Sequence, residues 1–137
     1  VWKIETKGEL EDRVASVDDE LLMVQEYIPN SFDIRLLMFE GEVIGAIKRS
    51  SSDGFYNNLA KEGRAERIEV TDEEVAISRQ ACEASGIDFG GVDIVRTEDG
   101  PCIFEVNKGP QIYGLEDVLE MSVADDLVER IVNRYYR

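Results

Sequence analysis

Residues 89–107, FGGVDIVRTEDGPCIFEVN, constrain the fold more than any other stretch. Two apolar, alternating runs flank Glu98-Asp99-Gly100, which reads as a β-hairpin. Alternation places Val92, Ile94, Phe104 and Val106 on one face and Asp93, Glu105 and Asn107 on the other. Loop length sets the register. A three-residue loop, with Gly100 in the left-handed position, pairs Thr97 with Pro101 and sets Asp93 opposite Glu105. A two-residue Asp99-Gly100 turn would instead pair Ile94 with Glu105. The first register is preferred because it gathers the polar residues. Two carboxylates at cross-strand distance, roughly 5 Å between Cβ atoms, repel unless neutralised. A shared proton, an arginine or a cation would each serve, and a solvated sheet face is the bland alternative. With hard oxygen donors alone, a cation would be Mg²⁺ or Mn²⁺.

The rest of the chain reads as alternating short elements. Residues 1–5 and 20–28 have strand character, and 7–16 helical spacing. The runs FDIRLLMFE and EVIGAIKRS around Gly41 predict a second hairpin, on which Asp33 and Arg35 alternate with Ile34 and Leu36. Residues 50–65 are polar and aperiodic, a long loop of a length that is usually functional or disordered. Thr71 and Glu74 form a T-x-x-E capping box opening a helix to Ser85, closed by Gly86. From Leu115 the chain is helical, broken near Ser122, with Leu127, Ile131 and Tyr135 sharing a face.

The 137 residues suffice for one modest core, and 43% apolar content suits a globular chain. The chain begins in strand character without an initiator Met or a signal-peptide core, the expectation for a piece of a longer cytoplasmic protein. No apolar run approaches the roughly 20 residues of a membrane span. Cys82 and Cys102 lack metal-site spacing and read as free thiols. With no histidine, Ser-His and Cys-His chemistry and His-ligated zinc are excluded. A net charge of −15 disfavours nucleic acid and suits a high-salt cytoplasm.

The motifs VQEYIP, DIR, AIKR, FYNNLAKEG, the T-x-x-E helix, GVDIV and EVN, in this order over residues 20–120, resemble the C-terminal half of ATP-grasp ligases of the RimK-like glutamate ligase group. The resemblance implies an α+β fold: a mainly antiparallel C-terminal subdomain (29–137) with helices on one side, after a remnant of the central subdomain (1–28). It implies an ATP-dependent carboxylate–amine ligase working through an acyl phosphate and adding glutamate or a similar amino acid. Its partners would be ATP and carboxylate and amine substrates, with neither nucleic acid nor membrane; a homo-oligomer is left open. Residue by residue, Glu26, Tyr27 and Ile28 look like the adenine hinge and Asp33 the ribose contact. Tyr56, Asn57 and Asn58 look like a nucleotide loop. Arg49 looks like the catalytic cation at the transferring phosphoryl group. Asp93, Glu105 and Asn107 look like ligands of Mg²⁺ (or Mn²⁺), two ions bridged by Glu105. The loop after Asn107, Lys108-Gly109-Pro110-Gln111, departs from the family pattern where the acceptor substrate binds. The family's N-terminal domain and Gly-rich flap have no counterpart here, so these residues alone are expected to bind nucleotide weakly and catalyse little. A non-catalytic nucleotide- or metal-binding module and an acidic interaction domain are the alternatives.

Overall fold

The structure, a computed structural model, describes residues 2–17, 21–50, 64–112 and 114–136. Its centre is an antiparallel sheet. Strands β1 (Asp33–Phe39), β2 (Glu42–Ser50), β3 (Arg64–Arg67), β4 (Phe89–Thr97) and β5 (Gly100–Asn107) lie in the order β3-β2-β1-β4-β5. The β1–β2 hairpin turns on Glu40 and Gly41, both with positive φ (47° and 79°), the backbone that suits a two-residue hairpin loop. β3 adds an edge strand where the sequence suggests only loop.

Helices cover both faces of the sheet, not one as expected. Helix α2 (Asp72–Ser85) packs through Cys82 on Ile34, Leu36, Met38, Val92 and Ile94. Helices α3 (Leu115–Leu119) and α4 (Val123–Tyr135) place Leu115, Leu119 and Val123 on Leu37 and Ile47 of the opposite face. The reason lies in β1, whose neighbours Leu36 and Leu37 are both buried and point to opposite sides. The α2 capping box forms as read: Thr71 Oγ1 accepts from the Glu74 amide, and the Glu74 carboxylate accepts from the Thr71 amide. Gly86 closes the helix at φ +63°.

The N-terminal part behaves differently. Helix α1 (Lys7–Ala15) forms with its own Thr6/Glu9 capping box but buries no residue. The strands expected at 1–5 and 20–28 do not form among their described residues, and Leu21, Met23 and Val24 are exposed. A strand is stable only against partner strands, and no described strand pairs with these residues. Among the described residues none before Phe32 joins either core cluster. No helix among the described residues is long and apolar enough to cross a membrane.

The second hairpin reaches the expected pairing by another route. Thr97 pairs with Gly100, so the turn is Glu98-Asp99 and only two residues long. Continued regularly, that turn would pair Asp93 with Phe104. A bulge at Phe104 takes up the extra residue, and Asp93 faces Glu105 after all. The bulge also corrects the expectation for Phe104 itself, which is unpaired and 46% exposed instead of inward-facing.

Candidate active site

One face of the sheet changes character along its length. Where Leu37 and Ile47 stand it is apolar and covered by α3 and α4. Towards the other end the same face carries Asp33 and Arg35 on β1, Arg49 on β2, Asp93 on β4, and Glu105 and Asn107 on β5. Pairing sets them side by side: Asp33 opposite Arg49, Arg35 opposite Asp93, Asp93 opposite Glu105, and Gly91 opposite Asn107.

The contacts form one mesh. Arg35 grips Asp93 with two parallel bonds, Nε to Oδ1 and Nη2 to Oδ2, each 2.7 Å. Arg49 bridges two carboxylates, donating Nε to Asp33 Oδ1 at 2.6 Å and placing Nη2 3.0 Å from Asp93 Oδ2. The Asn107 amide satisfies both its groups when its nitrogen donates to Glu105 Oε1 (3.1 Å) and its oxygen accepts from Arg35 Nη2 (3.2 Å). The opposite orientation offers only a 3.5 Å contact to Asp93 Oδ2, so the first is preferred. Of the three ways to neutralise facing carboxylates, the one visible here is the arginine.

Burial sets the electrostatics. Arg49 and Asp93 are 4% and 5% exposed, whereas Glu105 is open to solvent. Burial pushes the Asp33 carboxyl above its ordinary range, and the Arg49 guanidinium only partly offsets it. For Arg49, burial works against the charge. The bonds to Asp33 and the nearby Asp93 outweigh it, so the guanidinium is held cationic above its ordinary value.

Two glycines shape the mesh. A Cβ on Gly91 would sit 3.0 Å from Pro110 Cβ and 3.5 Å from the Arg35 side chain. On Gly90 it would meet Ile87 at 2.7 Å and the Asn107 carbonyl at 3.0 Å. Pro110 is buried on Gly91, while Lys108 and Gly109 are exposed.

The structure thus joins Asp33, Arg49, Asp93, Glu105 and Asn107 in one cluster. Glu26, Tyr27 and Ile28 belong to none of these strands. Glu26 and Tyr27 are exposed and Ile28 half-buried on the segment before β1, with the Lys3 ammonium 4.9 Å from the Tyr27 ring centroid. Tyr56, Asn57 and Asn58 lie outside the described residues. Lys48 projects to the opposite face, over the Phe32 ring and 2.8 Å from Glu66. Sequence reasoning missed Arg35 as a member of the site. The signal was its place two residues from Asp33, hence on the same face.

Hard oxygen donors on adjacent strands suit Mg²⁺ or Mn²⁺. Asp93 and Glu105 supply the carboxylates and Asn107 an amide oxygen, so the donor set fits such an ion. Among the described residues no three Asp, Glu, His or Cys side chains are placed to hold one ion together, so water and a ligand's own oxygens would complete the coordination.

The model of the RimK-like ATP-grasp domain matches residues 2–131. The chain belongs to this family. A probable alpha-L-glutamate ligase of Aeromonas salmonicida is 40% identical over 111 residues, 79% of this chain and 37% of that protein. The tetrahydromethanopterin:alpha-L-glutamate ligase of Methanocaldococcus jannaschii is 37% identical over 73% of the chain and 34% of its own length. The RimK-like chain therefore spans little more than a third of the curated relatives it matches. Solved structures show the same ATP-grasp fold. The ligase PsnB, complexed with a minimal precursor, superposes with a TM-score of 0.69 at 22% identity, covering 96% of this chain and 42% of that one. D-alanine–D-alanine ligase of Bacillus anthracis, complexed with ATP, gives 0.65 at 20% identity over 90% and 44%.

Proposed function

We propose that this RimK-like domain carries the phosphate- and metal-facing sheet of an ATP-dependent carboxylate–amine ligase. Among its relatives are glutamate ligases, which supports glutamate or a similar amino acid as the amine substrate. The observation that carries the reading is the pairing of Asp93 with Glu105 beside a buried Arg49. In the reaction a substrate carboxylate oxygen attacks the γ-phosphorus of ATP and ADP leaves. The amine nitrogen then attacks the acyl carbon, the C–O bond to phosphate breaks, and the amine loses a proton as inorganic phosphate departs.

No protein nucleophile is needed, so the work of the chain is positioning and charge neutralisation. Arg49 is held cationic by Asp33 and Asp93 and is the side chain that would meet the transferring phosphoryl oxygens. Asp33 doubles as anchor of Arg49 and as the ribose contact. Asp93, Glu105 and Asn107 would hold one or two Mg²⁺ ions, which supply further neutralisation of phosphate charge. Glu26, Tyr27, Ile28 and the Tyr56-Asn57-Asn58 segment would hold the base and phosphates, the first three closing a central-subdomain portion at 1–28 ahead of a C-terminal subdomain at 29–137. The charge of −15 fits a cytoplasm rich in salt.

The test uses Glu105→Gln in the whole protein. Glu105 is exposed, so the fold stays intact by circular dichroism. Mn²⁺ affinity in the presence of ADP, read by electron paramagnetic resonance, should fall on the order of tenfold or more. Unchanged affinity would remove Glu105 from the metal site and sink the reading. A protein that binds Mn²⁺·ADP but forms no amide from any carboxylate and amino acid would be a binding module instead.

A further inference from the structure

The polar face holds one guanidinium to which the proposed chemistry gives no part. Arg35 takes both oxygens of Asp93 at 2.7 Å and also donates to the Asn107 amide oxygen at 3.2 Å. Two of the three proposed metal ligands are therefore held by a single side chain. Its place is prepared: Gly91 leaves the room beside it, and Pro110 closes over Gly91.

We propose that Arg35 is a positioning residue that stands in for the divalent cation at Asp93, so that cation binding depends on the nucleotide. The proposal rests on the metal reading above. A fork-on bidentate pair occupies the lone pairs best placed for coordination, and Arg49 reaches Asp93 Oδ2 as well, at 3.0 Å. The cluster sums three carboxylates (Asp33, Asp93, Glu105) against two guanidiniums (Arg35, Arg49), one net negative charge. That is little attraction for a free dication, and the guanidinium nearest its ligand repels it in a partly dry site. A nucleotide polyphosphate changes the balance. It offers Arg35 a competing acceptor of higher charge and lets Asp93 turn an oxygen to the ion. Until then Arg35 holds Asp93 and Asn107 in register. Nucleotide and cation must each tighten the other by the same factor, and Arg35 is the group through which they do so.

The measurement is Mn²⁺ affinity of the whole protein, alone and with ADP, for the wild type, Arg35→Gln, Arg35→Lys and Glu105→Gln. Wild type should bind Mn²⁺ weakly alone and much more tightly with ADP. Arg35→Gln should bind Mn²⁺ alone on the order of tenfold more tightly, with the ADP-induced gain shrinking towards one. Arg35→Lys, which keeps the charge and loses the fork, should fall between. If Arg35→Gln weakens Mn²⁺ binding without ADP, or leaves it and the ADP gain unchanged, Arg35 is a structural brace and the proposal is wrong. Should Arg35→Gln not fold, a folded Arg35→Lys with wild-type coupling overturns it equally. Glu105→Gln separates the two levels: loss of Mn²⁺ binding there with no effect at Arg35 leaves the metal reading standing and removes only this proposal. Intact Mn²⁺ binding there removes both.

Discussion

Two buried carboxylates among the described residues, Asp93 and Glu74, are gripped by arginines on opposite faces of one sheet. On the α2 face, Arg96 donates Nε and Nη2 to Glu74 at 2.6 and 3.0 Å, and Nη2 also reaches the Glu69 carbonyl at 3.1 Å. Glu74, 2% exposed, also accepts the Thr71 amide of the capping box. Every partner is fixed by the fold, and the hydrogen bonds from Arg96 hold the Glu74 carboxyl below its ordinary range despite burial. On the other face acceptors are shared. Asp93 serves two guanidiniums, Arg49 serves two carboxylates, and burial pushes Asp33 upward. The first arrangement is closed and serves as a brace. The second is charge-dense, incompletely compensated and adjoins the solvent-exposed Glu105, as expected of a surface meant to receive further charges.

The most forceful way to break the comparison is to delete one acceptor from each. Asp93→Ala strands the Arg35 fork and one arm of Arg49, both largely buried, and should cost about 3–5 kcal/mol. Glu74→Ala also orphans an arginine, but the Arg96 side chain is 40% exposed and can turn to water. Its loss, of the cap and of two charged hydrogen bonds that water partly replaces, should be about 2 kcal/mol. Urea unfolding with unchanged m-values measures both. Equal costs would mean that sharing acceptors makes no energetic difference. Glu74→Ala should also leave Mn²⁺·ADP affinity intact, which Asp93→Ala should not.

A smaller effect should appear in the pH dependence, with opposite signs. Glu74 has a depressed folded pKa, so its contribution is present above the unfolded value and lost as pH falls through the folded one. Asp33 has a raised folded pKa. Its contribution is complete below the unfolded value and lost as pH rises through the folded one. Stability followed across the carboxylate range, about pH 3 to 6, should therefore respond in two ways. Glu74→Gln should flatten the rise of stability with pH, and Asp33→Asn should steepen it. A flattening by Asp33→Asn would show that its ion pair with Arg49, not burial, governs that carboxyl.

Where interactions were local, the sequence was legible. The capping box of α2, its closing Gly86 and the Glu40-Gly41 hairpin each depend on a few neighbouring residues and form as read. The facing of Asp93 and Glu105 was also reached, though through a longer loop than the chain uses. A tight Glu98-Asp99 turn and a bulge at Phe104 give the same pairing, and alternation cannot reveal a bulge because it adds a residue without changing composition. Alternation puts Arg35 on the face of Asp33, but its part in the site was missed for a different reason. Its partner Asp93 is 58 residues away, and their meeting depends on β1 lying beside β4, a topological fact no local pattern carries. Residues 20–28 show the converse error: their composition suits a strand, yet strand formation is settled by a neighbour to pair with. The two-sided cover of the sheet was likewise in plain view, since Leu36-Leu37 breaks alternation in β1.

The finest test of the comparison is Gly91→Ala. Gly91 does not have a positive φ, so alanine suits its backbone, and in a strand it gains roughly 0.5–1 kcal/mol over glycine. Against this, the new Cβ would stand 3.0 Å from Pro110 Cβ and 3.5 Å from Arg35 Cδ and Nε. Overpacking of that kind costs about 1–3 kcal/mol, leaving a net destabilisation of about 1 kcal/mol. The more telling change is in function. Pressure on the Arg35 stem should loosen its grip on Asp93, raise Mn²⁺ affinity without ADP by a few-fold and reduce the ADP gain, a weaker copy of Arg35→Gln. The Arg96–Glu74 brace on the other face would be untouched, so its pH signature should persist. If Gly91→Ala destabilises as expected but leaves the Mn²⁺–ADP coupling at the wild-type value, the Pro110 turn has moved instead. Gly91 then seats the loop, not Arg35, and neither cluster is set apart by a mobile arginine.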